Sequence, residues 1–309
     1  MKNCHLHAGS YFGAVDTRVE SSYGLLSEVV HPSGCALPVH DHAQAYFSLL
    51  LAGDYLENVG GSEWRYRRFD AGFHPARFPH CDSIGAAGAR FLCLEVFADT
   101  LDSAGVRLSD VPTLLPADIA VQLLRLHRPL MLGLLAAIDC EIAVWELCGD
   151  VSDEPRYAER RRPAWLRRSL ELVEEEFSDP LTVQDIARRS GVHPVHLSRE
   201  FHRRFGESLG EYTNKVRVRH ACALMMGDNE PLAMVAAATG FTDQSHLCRV
   251  FKSLLGCTPS EFRRSRFAFR GAGITAAAPG GIPYTAPLLA RSHHRSTARR
   301  HARRDRFRR

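Results

Sequence analysis

No two of the nine cysteines lie close enough to form a C-x-x-C pair, so the sequence offers neither a zinc ribbon nor a dithiol redox motif. Their odd number fits free thiols in a reducing cytosol. Long apolar runs are missing too. The richest window, Pro129 to Ile138, is bounded by Arg128 and Asp139 and is too short to span a membrane. Met1-Lys2-Asn3-Cys4-His5 leads into no apolar stretch, which argues against a signal peptide and for a cytoplasmic chain with no membrane partner. Bulk positive charge is absent from most of the chain. Residues 291–309 hold nine arginines against Asp305, a contribution of +8 to a formal net charge of +4, so the remainder carries −4. Over 163–268, 15 Lys/Arg face 13 Asp/Glu. Any nucleic-acid binding by that region must rest on geometry.

What is present is the composition of an ordinary globular protein, 45% apolar and 24% charged, with 309 residues enough for two domains. Its organising feature is an internal repeat. Ala187-Arg188-Arg189-Ser190-Gly191-Val192 aligns with Ala236-Ala237-Ala238-Thr239-Gly240-Phe241, an offset of 49 at the glycines. Leu197-Ser198-Arg199-Glu200-Phe201 aligns with Leu247-Cys248-Arg249-Val250-Phe251 at an offset of 50, which Gly206/Gly256, Glu211/Glu261 and Tyr212/Phe262 keep. Such a period means one supersecondary unit used twice.

Each unit reads as helix-turn-helix. Thr182-Val183-Gln184-Asp185 approaches a capping box, and Val183, Ile186 and Ala187 supply a short apolar face. Gly191 suits the tight turn, and Pro194 suits a first helical position. Leu197, Phe201 and Phe205 then recur every four residues, leaving Val195, Ser198, Arg199, His202 and Arg203 on the outer face. In the second unit Leu232, Val235 and Ala236 face inward and Gly240 turns. Leu247, Phe251 and Leu255 are buried, with Gln244, Ser245, Cys248, Arg249 and Lys252 outside. Ser208-Leu209-Gly210-Glu211 is a full capping box that opens a connecting helix to about Gly227, roughly 27 Å long. Thr258-Pro259-Ser260-Glu261 opens a last one. Two recognition helices on one rigid rod could enter successive major grooves, about 34 Å apart, on one face of double-stranded DNA.

Residues 163–266 resemble the DNA-binding domain of the AraC/XylS family of transcription regulators. The resemblance is carried by Arg217, Ala221, Met225, Ala233, Ala236, Gly240-Phe241, Leu247, Phe251, Gly256 and Thr258-Pro259. It implies base-edge contacts at Val195, Ser198 and Arg199, and at Gln244, Ser245, Cys248 and Arg249. Arginine bonds guanine bidentately and glutamine bonds adenine, so Arg199, Arg249 and Gln244 suit direct readout.

From Tyr11 to Phe97 the chain reads as short alternating segments broken by Gly, Pro and Asp, which predicts an all-β unit, most economically a small closed barrel. Gly34, His40-Asp41-His42, Tyr46 and Gly53 keep the spacing of the first cupin motif, with tyrosine where glutamate is usual. Pro75-Ala76-Arg77-Phe78-Pro79-His80 resembles the second, with Arg77 in a glycine position and Ile84 in an asparagine position. His40, His42 and Tyr46 share parity, so they face one side of a strand. His40, His42, Tyr46, Arg77 and His80, with His74 less securely, are therefore expected to line a pocket for a small effector. A divalent transition metal on His40, His42 and His80 is the other use of these imidazoles.

Asp118 is placed to cap a helix through Leu126, and Pro129 to restart one to about Leu147, an apolar pair in want of a partner. The resemblance implies that a homodimer forms there. The predicted fold is α+β in two domains: a cupin-like barrel over 1–115, a helical hairpin over 116–149, a polar linker over 150–162, the two-unit all-α domain over 163–268, and a disordered basic tail over 269–309. The predicted function is an effector-responsive DNA-binding regulator, an activator that contacts RNA polymerase, and not an enzyme. A cupin metalloenzyme with a helical appendage is the competing class, and it would need the acidic ligand that Tyr46 displaces. A sequence-blind binder led by the arginine tail is the third.

Overall fold

The computed structural model describes residues 4–103, 105–151, 163–226 and 230–270. Part of the predicted linker (152–162) and the basic tail from 271 lie outside the described residues.

The N-terminal half is a nine-stranded sheet. Its strands are β1 (Cys4–Leu6), β2 (Ala14–Glu20), β3 (Gly24–His31), β4 (Ala36–His42), β5 (Ala45–Val59), β6 (Ser62–Tyr66), β7 (Ala71–His74), β8 (His80–Val96) and β9 (Thr113–Leu115). The two long strands are its spine. β5 and β8 pair antiparallel from Ala45 opposite Val96 to Val59 opposite His80. Two short strands share the far edge of each: β4 and β3 on β8, β7 and β6 on β5. Register shifts at Leu50/Ala52 and Gly53/Tyr55 let the spine bend, since a bulge adds local twist. Gly53 has φ +98°, and a Cβ there would collide with the Gly88 carbonyl.

The closed barrel expected from the sequence is not what forms. Among the described residues no pairing joins the outer strands β1, β2, β6 and β9 to one another, so the sheet curls but stays open. Closure needs hydrogen bonds carried around a complete ring. Here the edges of the spine are spent on short partners instead.

After α1 (Ala98–Ser103), the hairpin consists of α2 (Ala117–Met131) and α3 (Ala137–Val151). Two expectations are corrected. Pro129 does not restart a helix: it sits inside the last turn of α2, where the missing N–H costs a single bond. Asp118 does not cap it either, because Pro116 holds the N-cap position and Asp118 falls in the first turn, where its charge favours the helix dipole.

The C-terminal half comprises α4 (Ala164–Glu175), α5 (Val183–Ser190), α6 (Pro194–Phe205), α7 (Leu209–Met225), α8 (Leu232–Ala238), α9 (Gln244–Leu255) and α10 (Pro259–Arg270). The first unit has a small separate core of Leu166, Leu170, Ile186, Ala187, Leu197, Phe201 and Tyr212, which also takes in Ala117 of α2. The second unit does not. Val235, Leu247, Phe251 and Phe262 belong to one continuous core with Leu123 and Leu124 of α2, Cys140 and Val144 of α3, and Phe47 and Leu92 of the sheet. α2 packs on β2, β5 and β7 on one side and on α7, α9 and α10 on the other. Its apolar face is therefore covered within the chain. What the hairpin leaves bare is a different patch, Leu132 (52% exposed), Leu134 (72%), Ile138 (57%) and Ile142 (50%). Between the halves, Arg219 of α7 bonds both Asp70 and Glu174, and Phe69 packs edge-on against Phe262.

Candidate functional site

The curled sheet encloses a polar cavity. His40 and His80 face each other directly across β4 and β8, their ring centroids 4.2 Å apart. His42 shares the face of His40 by parity on β4, whereas Tyr46 lies on β5 beyond a turn and meets His42 with ring centroids 4.6 Å apart. All four are buried and line the cavity. The Tyr46 hydroxyl donates to His80 Nε2 at 3.2 Å, and the Tyr46 ring stacks on His74, whose Nε2 lies 2.7 Å from Glu57 Oε1. The cavity also receives residues the sequence reading overlooked, chiefly Asp82, His31 and Tyr55. Asp82 had a usable signal: it is two residues past His80, so on a strand it must share His80's face. Glu57 and His31 had none, because inter-strand register is not legible in one sequence.

Arg77 does not belong to the site. It is exposed and absent from the cavity wall, and its backbone N–H donates to the His42 carbonyl at 2.7 Å. With φ +60°, Arg77 holds a left-handed turn, which accounts for glycine at that place in the motif it resembles. Arg77→Gly is accordingly expected to stabilise the protein by up to about 1 kcal/mol, as relief of left-handed strain exceeds the added entropy of the unfolded chain. A rise in midpoint temperature on thermal unfolding checks this.

Burial sets the charge state of the cavity. It pushes His80 down to about 4, with His74 next to it adding repulsion, and His31 to about 4, with His40 adding repulsion. Burial likewise lowers His40 and His42, helped by neighbouring imidazoles. The same burial pushes Asp82 up to about 7, opposed by His40. A histidine whose folded pKa is depressed binds fewer protons folded than unfolded, so its contribution to stability is lost as pH falls from about 6.5 toward 4. Asp82, raised when folded, acts in the opposite sense below pH 7. Outside the cavity, His220 is lowered to about 4 by burial and Arg219, and adds to the histidine side. At roughly 1.4 kcal/mol per group per pH unit, the histidines outweigh the single aspartate. Unfolding free energy of the metal-free protein should be about 2–4 kcal/mol lower at pH 5 than at pH 7, measurable by urea titration at the two pH values.

The C-terminal units repeat in geometry as well as in sequence. Thr182 Oγ1 accepts the Asp185 N–H, and Gly191 closes α5 at φ +73°. His193 caps α6 and Asp243 caps α9, each accepting from a backbone N–H through its side chain. α6 and α9 end on Gly206 and Gly256, at φ +71° and +70°. Ser208–Glu211 forms the full reciprocal box at the start of α7, which runs 17 residues. Thr258 and Glu261 bond each other the same way. Both α6 and α9 pack on α7. Arg217 of α7 joins the units: its guanidinium donates to the Phe177 and Asp179 carbonyls beside the first and lies over the Phe241 ring of the second.

Outside this framework the expected contact residues stand clear. Val195, Ser198, Arg199, His202 and Arg203 on α6 are exposed, as are Gln244, Ser245, Arg249 and Lys252 on α9. Cys248 is half-buried. Arg203 is engaged by Glu200 through two bonds, whereas Arg199 and Arg249 form no salt bridge among the described residues. α9 meets α2 through the side carrying Leu247, Phe251 and Leu255, so packing of the two halves leaves its outer face bare.

Two helix-turn-helix units with capped recognition helices, sharing one connecting helix, define a tandem DNA-binding domain. A family model described as a helix-turn-helix domain matches residues 186–265, which spans both units. The multiple antibiotic resistance protein MarA of Escherichia coli (strain K12) is 31% identical over 94 residues, 30% of this chain and 74% of MarA. The HTH-type transcriptional regulator GlxA of Rhizobium meliloti is 35% identical over 95 residues, 31% of this chain and 29% of GlxA. The match to the regulator YijO of E. coli, 29% identical, spans 38% of this chain and 41% of YijO. Among solved structures, the C-terminal domain of the response regulator AraT from Geobacillus stearothermophilus is 29% identical, with a TM-score of 0.32, over 34% of this chain and 88% of that one. The chain belongs to the AraC family of helix-turn-helix transcription regulators. No helix among the described residues is long and apolar enough to cross a membrane.

Proposed function

We propose that this protein is a sequence-specific transcription activator whose N-terminal cavity takes a small effector. The observation that carries the reading is the duplicated helix-turn-helix unit with both recognition helices capped, presenting Arg199, Arg249 and Gln244 outward on helices that share α7. Those side chains read base edges, while His202, Arg203 and Lys252 meet phosphates. His40, His42, Tyr46 and His80 hold the effector.

α2 is the element through which the effector acts. It touches the sheet on one side and α7 and α9 on the other, so a change in sheet curvature is felt at the second recognition helix. Regulation follows only where effector binds two arrangements with different affinity. A second copy of the chain docks on the bare patch of Leu132, Leu134, Ile138 and Ile142, giving a homodimer that contacts RNA polymerase at the promoter. Mapping genomic occupancy of the tagged protein tests the reading. Discrete sites sharing one motif are expected; occupancy that merely follows DNA accessibility would defeat it.

A further inference from the structure

We propose that the cavity is a divalent transition-metal site in which His40, His42 and His80 supply three imidazoles and Asp82 supplies the carboxylate. This deepens the effector reading above and rests on it only for the consequence at DNA.

Size decides first. The cavity volume is about 40 Å³, room for an ion and a few waters. Sites for drug-sized organic ligands run to about 300–1,000 Å³. Donor placement comes next. Ligand atoms of His40, His42 and His80 lie within 4.8 Å of one another, as do those of Glu57, His80 and Asp82, and His80 belongs to both groups. Asp82 Oδ2 stands 3.7 Å from His40 Nε2, too far for a hydrogen bond. Two ligands each about 2.1 Å from one ion at a tetrahedral angle sit roughly 3.4 Å apart, so a small closing of the side chains completes the set.

The imidazoles are also oriented for an ion. His40 Nδ1 donates to the Pro38 carbonyl at 2.9 Å and His80 Nδ1 to the Phe78 carbonyl at 3.2 Å. Fixing one ring nitrogen on a backbone carbonyl is how proteins present the other to a metal. Both Nε2 lone pairs are thereby left for the cavity. That of His80 is held by the Tyr46 hydroxyl, a bond that coordination replaces. His42 Nδ1 is buried and has no hydrogen-bond partner among the described residues. Three imidazoles with one carboxylate suit Zn(II), Ni(II), Cu(II) or Fe(II) over Mg(II) or Ca(II).

The test uses the full chain, stripped with chelator and titrated with Zn(II), and separately with Co(II) for its visible spectrum. One ion per chain is expected, with the intense d–d absorption of a low-coordinate Co(II) site. Asp82→Asn should weaken Zn(II) binding at least about tenfold while the metal-free variant unfolds at a temperature near that of the parent. Absence of stoichiometric binding overturns the proposal, as does an Asp82→Asn variant that is folded and binds as tightly as the parent. Footprinting of the metal-free chain runs alongside. Specific protection without metal binding removes the metal site and leaves the regulator; metal binding without specific protection does the reverse.

Discussion

Gly240→Ala should lower the stability of the protein by about 2–5 kcal/mol and disable the second recognition unit. Gly240 sits at φ +77°, where an L side chain costs roughly 1–2 kcal/mol. A Cβ there would also lie 2.7 Å from the Ser178 carbonyl oxygen and 2.8 Å from that of Phe177. Those atoms are backbone, and Arg217 grips the Phe177 and Asp179 carbonyls on either side, so the loop cannot give way cheaply. Forcing a core or turn to overpack adds about 1–3 kcal/mol. Gly191 is the internal control. It occupies the equivalent turn at φ +73° but has open space around its Cα, so Gly191→Ala should cost only the conformational part. Urea unfolding of the two variants checks the difference. Equal losses would mean that the 177–179 loop does not lean on the second unit.

The double substitution Arg199→Ala with Arg249→Ala should reduce affinity for a specific site by about 30-fold to 10⁴-fold. Each arginine is worth about 1–3 kcal/mol if it meets a guanine edge, and residues on different recognition helices should add. Both side chains are exposed and support no described salt bridge, so stability should change by less than about 0.5 kcal/mol. Arg203→Ala makes the contrast. Its guanidinium is already shared with Glu200, so its loss should be smaller and nearly uniform across sequences. Gel-shift titrations on specific and scrambled duplexes separate these outcomes. A double variant that keeps full specific affinity would show that base readout lies elsewhere.

The C-terminal units were legible from sequence because their signals are local. A hydroxyl three residues before an acid, a glycine after the last apolar position and a proline at the first helical one each fix a boundary, and Ser208–Glu211, Gly256 and Pro194 fall where the structure has those boundaries. The sheet was less so. Parity puts His40 and His42 on one face of β4, but Tyr46 lies on β5 beyond a turn that parity does not cross, and nothing within one strand tells which strand lies beside it. Hence Glu57 and His31 went unnoticed, and the ring was closed when the real edges of β5 and β8 are taken by four short strands. Arg77 is placed at the pocket by its motif position, whereas a left-handed backbone conformation is what that position demands. The hairpin's apolar surplus was real, but most of α2's share is spent inside the chain, on the sheet and on α9.

High-resolution hydroxyl-radical footprinting of the full chain on a target site tests the central claim most directly. The duplicated unit predicts two protected patches per chain on one face of the duplex, their centres about one helical turn, roughly 10–10.5 base pairs, apart. Protection should shrink to one patch when Gly240→Ala removes the second unit. A single patch for the unaltered chain, or two on opposite faces, would contradict it.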